Sequence, residues 1–386
     1  MRRDATTLAS YAYCGTWGWF LYAFGPAIAL LRLEQDSSRS VAALHSVAVA
    51  CGALVAGTAG LWAVRRWGRR AVMLGGTLTF TAGVGLLVST TVVAGTLATA
   101  LVVGIGGATA LNGMSAVLAD HHRESTSAAL SEANGVAAVM GVLSPLAVGG
   151  AVAIGWGWRP AVLATAVLGA VSLLLISRAP GSAAWHAAPP HPDAVPTRLD
   201  RTFWTCWLLL AACVGVEFAT TFWAVDLLTS DKGLDAATAS ASLAAFTAGM
   251  AVARLTSGAL TRRWADERLL LVALCVSALG WLLLWGPASP ALAVAGLALA
   301  GLGGGLHFPV AITLLIRAAR GRTDTASGAA SVAAGIASGG APFLLGVSAD
   351  VVGTRTAFLI VPALIACAAV LLLSVSRRVK DPAPGG

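Results

Sequence analysis

Twelve apolar runs, six and then six again, leave this chain of 386 residues little choice but a bundle of membrane-crossing helices. They cover roughly 10–31, 41–63, 71–89, 93–118, 126–152, 160–177, 203–228, 238–260, 269–286, 290–316, 326–349 and 356–375. Each approaches or exceeds the ~20 residues that carry a helix across the hydrocarbon core. The second six copy the first about 197 residues later. Gly104-Ile105-Gly106-Gly107 returns as Gly301-Leu302-Gly303-Gly304, and Arg65-Arg66-Trp67 as Arg262-Arg263-Trp264. Pro145 with Gly149 returns as Pro342 with Gly346, and Trp158-Arg159-Pro160-Ala161, one residue early, as Thr354-Arg355-Thr356-Ala357. Soluble repeat arrays have much shorter periods, whereas two matching membrane halves are the build of secondary transporters.

Composition agrees. Hydrophobic residues make up 57 % and charged ones 11 %, and the mean hydropathy is +0.81, well outside soluble averages. Met1-Arg2-Arg3-Asp4 runs straight into the first span, so no cleavable signal is expected. Placing both termini in the cytoplasm puts nineteen Lys and Arg on that side. The other side keeps Arg32, Arg39, Arg159, Lys232 and Arg355, and Arg254 lies inside a span. The positive-inside rule predicts that orientation. It also accounts for the net charge of +8, since short basic loops offer no folded basic domain to hold a nucleic acid. Twenty-three arginines against two lysines is the usage of a GC-rich bacterial genome.

The six cysteines all fall inside predicted spans without metal-site spacing, as expected of reduced structural thiols. A Pro-rich stretch, 178–202, reads as a cytoplasmic linker, and its His186 and His191 are not expected to bind metal. The other loops leave no room for a catalytic domain. There is no Gly-rich phosphate loop ending in Lys-Ser/Thr, no HExxH and no nucleophile elbow. No cofactor and no enzyme activity are expected.

Leu61-Trp62-Ala63-Val64-Arg65-Arg66-Trp67-Gly68-Arg69-Arg70 lies between the second and third spans of the first half. Gly258-Ala259-Leu260-Thr261-Arg262-Arg263-Trp264-Ala265-Asp266-Glu267 holds the same place in the second. Both resemble the signature loop of the major facilitator superfamily, roughly G-x-L-x-D-R-x-G-R-R. The first keeps the Gly-Arg-Arg end but has Leu61 and Arg65 where Gly and Asp are usual. The second keeps Gly258, Leu260 and Arg263 but lacks the Asp and the second Gly. Ser144-Pro145-Leu146-Ala147-Val148-Gly149-Gly150 and Ala341-Pro342 resemble an imperfect form of the Gly-Pro element associated with antiporters, while the arginine common in span four of drug/proton antiporters is missing. The resemblance covers the whole chain. It implies an all-α membrane protein with six-helix bundles at 1–177 and 203–386 that rock about a central site, acting as a monomer. It further implies that spans 1, 4, 7 and 10 line the cavity, with spans 5 and 8 at the seam.

Scaffold features should recur at the repeat offset, whereas residues serving one substrate need not. Glu132, Glu217, Arg254 and His307 lie well inside spans, and their counterparts are Ala329, Phe20, Gly57 and Ala110. A charge in a membrane costs at least ~2.5–3.5 kcal/mol, so each unrepeated one needs a local reason. At ~1.5 Å per residue, Glu132, Arg254 and His307 come out roughly 12–15 Å from the cytoplasmic side. Glu217, sixteen residues past Arg201, comes out at or beyond the midplane with nothing basic near it in sequence. If the family arrangement holds, Glu132 meets Arg254 across the seam, and His307 and Glu217 face the cavity. Trp17, Trp19, Phe222 and Trp223 are expected to form part of its apolar wall.

The expected function is a proton-coupled secondary transporter of a small organic solute, amphiphilic or anionic, in a bacterial inner membrane. Glu217 is the first candidate proton carrier and Glu132 the second. Arg254 would bind an anionic substrate or hold Glu132. Export of drugs or metabolites is the alternative within transport. A transport-inactive receptor or scaffold is the alternative from another class, though it would gain nothing from unrepeated charges at mid-membrane.

Overall fold

The computed structural model describes residues 3–179, 185, 199–319 and 322–380. Most of the 178–202 stretch, with His186 and His191, lies outside the described residues. The helices in order are α1 Ala5–Glu34, α2 Arg39–Trp67, α3 Arg69–Ser89, α4 Val93–His122, α5 Thr126–Ala153, α6 Arg159–Arg178, α7 Arg201–Ser230, α8 Ala236–Thr261, α9 Asp266–Trp285, α10 Pro290–Ala318, α11 Thr323–Ala357 and α12 Ile360–Lys380. Among the described residues eleven of these are long and apolar enough to cross a membrane, and α12 adds the shorter apolar stretch Ile360–Ser376. The chain is therefore a multi-pass, all-helical membrane protein.

It divides into two compact units, residues 1–190 with 234–244 and residues 191–233 with 245–386. Inside them the sequence repeat acquires physical meaning. In the first unit α1 packs on α4, α5 and α6, and in the second α7 packs on α10, α11 and α12. These two helices are the most enclosed, with 78 % and 83 % of their spans buried. Both start on an aspartate: Asp4 accepts from the Thr7 backbone N–H at 3.0 Å, and Asp200 from that of Phe203 at 2.9 Å. Each cap satisfies one of the N–H groups that a helix start leaves without a partner.

The repeated Gly-x-Gly-Gly motif marks helix crossings at backbone distance. A Cβ on Gly104 of α4 would land on the Val49 carbonyl of α2, and one on Gly301 of α10 on the Phe246 carbonyl of α8. Small residues permit such close approach in lipid. The repeated Trp/Thr-Arg element follows a turn. Gly157 and Gly353 sit at φ +70° and +79°, a region that costs other L-residues about 1–2 kcal/mol. Gly353 breaks α11, so the turn beginning at Thr354 leads into the last crossing.

Beyond each turn stands an arginine that clamps the far end of the unit's first helix. Arg159 donates to both Glu34 carboxylate oxygens at 2.6 Å. Arg355 does the same to Asp231 at 3.0 and 2.9 Å. Glu34 and Asp231 lie one repeat apart. Burial pushes the Asp231 carboxyl up, but hydrogen bonds from Arg355 and Lys232 outweigh it and hold the group below its ordinary value.

The signature loops are built on another ion pair, and here the two units differ in sign. Arg69, the first residue of α3, reaches Asp120 near the end of α4, Nη1 to Oδ2 at 2.6 Å. Their repeat counterparts are Asp266 and Arg317, which lie 2.7 Å apart as an ionic contact with angles outside those of a hydrogen bond. The same tether is kept with its charges exchanged. That exchange explains why the second loop departs from the Gly-Arg-Arg ending: position 266 must be acidic where position 317 is basic.

Candidate functional site

In the second unit, Glu217 of α7 is 6 % exposed, and its Oε1 lies 3.5 Å from Nη2 of Arg254 on α8. The sequence offered Glu217 no neighbouring cation because the cation comes from another helix, 37 positions on. The two side chains meet although their backbones were expected at different depths, since a long arginine stem can span such a difference along a helix face. Neither residue has an ionisable counterpart in the repeat. The remaining walls are mostly apolar or structural. Phe218 and Phe222 stack at 6.4 Å between ring centroids, and the buried Trp223 donates its indole N–H to the Pro342 carbonyl of α11 at 2.8 Å. Thr221 turns its hydroxyl back to the Glu217 carbonyl at 2.8 Å.

Glu132, expected to meet Arg254, has its described partners on α1 and the residues before it. Glu132 of α5 is held within the first unit. Arg3 donates to both of its carboxylate oxygens at 2.9 Å, and the Tyr11 hydroxyl to Oε2 at 3.0 Å. The start of α1 lies beside α5, so Arg3 reaches the carboxylate. His121 joins Asp4 at 2.7 Å and His122 joins the Thr7 hydroxyl at 2.8 Å. Together these contacts fasten the beginning of the chain to the ends of α4 and α5. Asp4 sits below its ordinary value, since hydrogen bonds from Thr7 and His121 outweigh the opposing effect of its partial burial.

His307, expected to face a cavity, is enclosed at 1 % exposure and turned toward α9, with Nε2 3.2 Å from the Ser277 hydroxyl. Trp17 packs on Phe20 and Phe80 at 6.0 and 5.8 Å between ring centroids, and Trp19 donates to the Ala161 carbonyl of α6 at 2.8 Å. Trp17, Trp19 and Trp223 thus reach other helices of their own units, and Phe222 is buried beside Phe218 of its own helix. Of the signature-loop candidates, Gly68 takes φ +81° at the turn and Arg69 makes the ion pair described above. Arg65, Arg66, Arg262 and Arg263 are exposed, as is Gly258.

Two buried ionisable side chains escaped the sequence reading. His45 of α2, 1 % exposed, has Nε2 2.8 Å from the Thr96 hydroxyl. Asp226 of α7, 2 % exposed, accepts from the Thr354 hydroxyl at 2.5 Å. Both lie within five residues of a predicted span end, where attention to mid-span charges passes over them, yet both lack an ionisable counterpart in the other half (Ser242 and Ala29). Among the described residues no three His, Cys, Asp or Glu side chains gather as a metal cluster.

The Major Facilitator Superfamily model matches the chain twice, over residues 13–225 and 205–386. No curated protein sequence matches. Among solved structures the chain is similar to a bacterial homolog of the human lysosomal transporter Spinster in an inward-facing, occupied conformation. That likeness covers all of both chains at 16 % identity, with a TM-score of 0.72. It is also similar to the nucleoside transporter NupG, at 11 % identity over 97 % of this chain and 98 % of that one, TM-score 0.74. A D-xylose–proton symporter matches at 15 % identity over 96 % of each chain, TM-score 0.73. At these identities the structures speak for the fold, and the family model for descent. The chain belongs to the Major Facilitator Superfamily and is a membrane transporter rather than an enzyme.

Proposed function

We propose that this transporter is a proton-coupled secondary carrier of a small organic solute, working by alternating access, with Glu217 and Arg254 at the coupling site. The observation that carries the reading is the pair itself: a buried carboxylate and a guanidinium on neighbouring helices, neither repeated in the other half. While Glu217 is ionised, the two neutralise each other. When it takes a proton, Arg254 is released to hold an anionic group of the substrate, so proton and substrate load together. Among the structurally similar proteins a sugar–proton symporter gives the fold a precedent for such coupling. Glu132 has a different part in this reading: through Arg3 and Tyr11 it anchors the chain's start. The test is solute counterflow in proteoliposomes, using organic acids that raise the melting temperature of the purified protein, since ligand binding stabilises by mass action. Saturable counterflow that speeds up at acid pH is expected. A protein that binds organic acids but exchanges none would be the transport-inactive receptor instead.

The orientation proposed with this function places both termini in the cytoplasm of a bacterial inner membrane, a reading supported by the nineteen-to-five division of basic residues. In a background without native cysteines, Arg66→Cys should be labelled from inside only and Thr91→Cys from outside only, both positions being exposed. Labelling of both from one side would overturn the topology.

A further inference from the structure

The first unit carries a groove of about 260 Å³ among α2, α3 and α4, lined by Ala63, Trp67, Gly75, Gly76, Gly106 and Thr109 among others. Its origin is visible in the packing. Helices α2 and α3 each lie closely on α4 but scarcely on one another, and the positions facing the gap are small. A Cβ on Gly75 would meet nothing within 4 Å, and the same is true of Gly60, one turn further along α2 from Ala63. The volume falls below the ~300–1,000 Å³ of a pocket that encloses a whole ligand, and suits one segment of a longer apolar molecule.

The groove ends at the signature loop, where Trp67 forms part of its wall. Trp67 stacks edge-on with Trp62 at 5.1 Å between ring centroids, and both indoles are well exposed, at 59 % and 62 %. Exposed tryptophans of this kind mark the level of lipid headgroups. Arg66 adjoins Trp67 and lies three residues from Ala63, both of which line the groove. It is exposed, and among the described residues it makes neither the ion pair of Arg69 nor the carbonyl hydrogen bonds of Arg70. Those two are occupied by Asp120 and by the carbonyls at the end of α6.

The second unit supplies an internal comparison. Where the first has Ala63, Gly75 and Thr109, the second has Leu260, Val272 and Leu306, and Ala71 is replaced by Arg268. Its loop also carries Asp266 and Glu267. Bulk stands where the first unit has space, and Asp266 and Glu267 stand where it has Arg69 and Arg70, so the groove is not a requirement of the scaffold. An apolar slot opening beside indoles and a bare guanidinium matches a molecule with an acyl chain and an anionic headgroup. We infer that the groove among α2, α3 and α4 is a binding site for an anionic phospholipid, one acyl chain lying in the slot and the phosphate on Arg66.

The test needs no transport substrate. Protein in detergent is offered equal amounts of phosphatidylglycerol and phosphatidylcholine with matched chains, and the retained lipid is counted by native mass spectrometry. Wild type should retain phosphatidylglycerol preferentially. Arg66→Gln should cut that preference about fivefold, the weight of one basic residue at an anionic surface. The matching change in the second unit, Arg263→Gln, should leave it unchanged. Filling the slot with the second unit's own residues, Ala63→Leu with Gly75→Val, should lower retention of both lipids. Equal retention of the two lipids by wild type, or an unaltered preference in Arg66→Gln, would overturn the assignment. Arg66 is exposed, so that variant decides the question even if the filled groove impairs folding.

Discussion

Glu217→Gln should abolish proton-driven accumulation of substrate while leaving substrate exchange in place. Glutamine imitates the protonated acid in shape and neutrality, so the variant is fixed in the state that has already loaded its proton. It can still pick up and release solute, with Arg254 free of its carboxylate, but no proton cycles with it. Exchange should also lose its dependence on pH. Arg254→Gln should be worse, because it removes the cation from beside the buried Glu217 carboxyl. Breaking a buried pair from one side costs about 3–5 kcal/mol, and the lower end applies here since the arginine side chain is 31 % exposed. The double variant Glu217→Gln/Arg254→Gln should regain much of that stability while staying inactive in accumulation. A cation-binding role for Glu217 would show itself differently, as loss of both exchange and accumulation in Glu217→Gln. If Glu217→Gln accumulates substrate normally, the pair is structural and the coupling site lies elsewhere.

The sequence made the helices and the duplication legible because both rest on local properties: apolar length, basic loops and residues that recur. Structure then gave each recurrence a cause. The glycines at 104 and 301 are crossings, and the arginines at 159 and 355 are clamps on the far ends of α1 and α7. What could not be read was which side chain meets which. A membrane helix is apolar on nearly all sides, so its composition says little about its rotation. Glu217 therefore looked unaccompanied until α8 was placed against it. Nothing near Glu132 in sequence announced that Arg3 would reach it. Residue counts speak to depth along a helix and not to direction around it. The subtraction of one half from the other singled out Glu217 and Arg254 separately, without revealing that their side chains meet.

Exchanging the charges of the first signature-loop tether, Arg69→Asp with Asp120→Arg, should give a protein at least as stable as wild type, whereas either change alone should destabilise it strongly. The second unit already demonstrates the exchanged form in Asp266 and Arg317. Helix dipoles supply the sign. An acid is favoured at a helix start and a base at a helix end, each by about 0.3–1 kcal/mol. Asp266 opens α9 and Arg317 stands near the close of α10, so the second unit agrees with both dipoles. Arg69 opens α3 and Asp120 lies near the close of α4, so the first unit opposes both. Its arrangement holds because Arg69, with its side chain 9 % exposed, has the Asp120 carboxylate at 2.6 Å. Either single reversal sets two like charges at that distance, and the melting temperature in detergent should fall by several degrees. The double reversal restores attraction and adds the two dipole terms. Should the doubly exchanged protein melt well below wild type, the tether is more than a charge pair, and Arg69 must hold something that an aspartate cannot. Should it melt higher yet transport poorly, the less stable order of charges in the first unit serves movement: a tether set against its helix ends is easier to release when the loop has to shift.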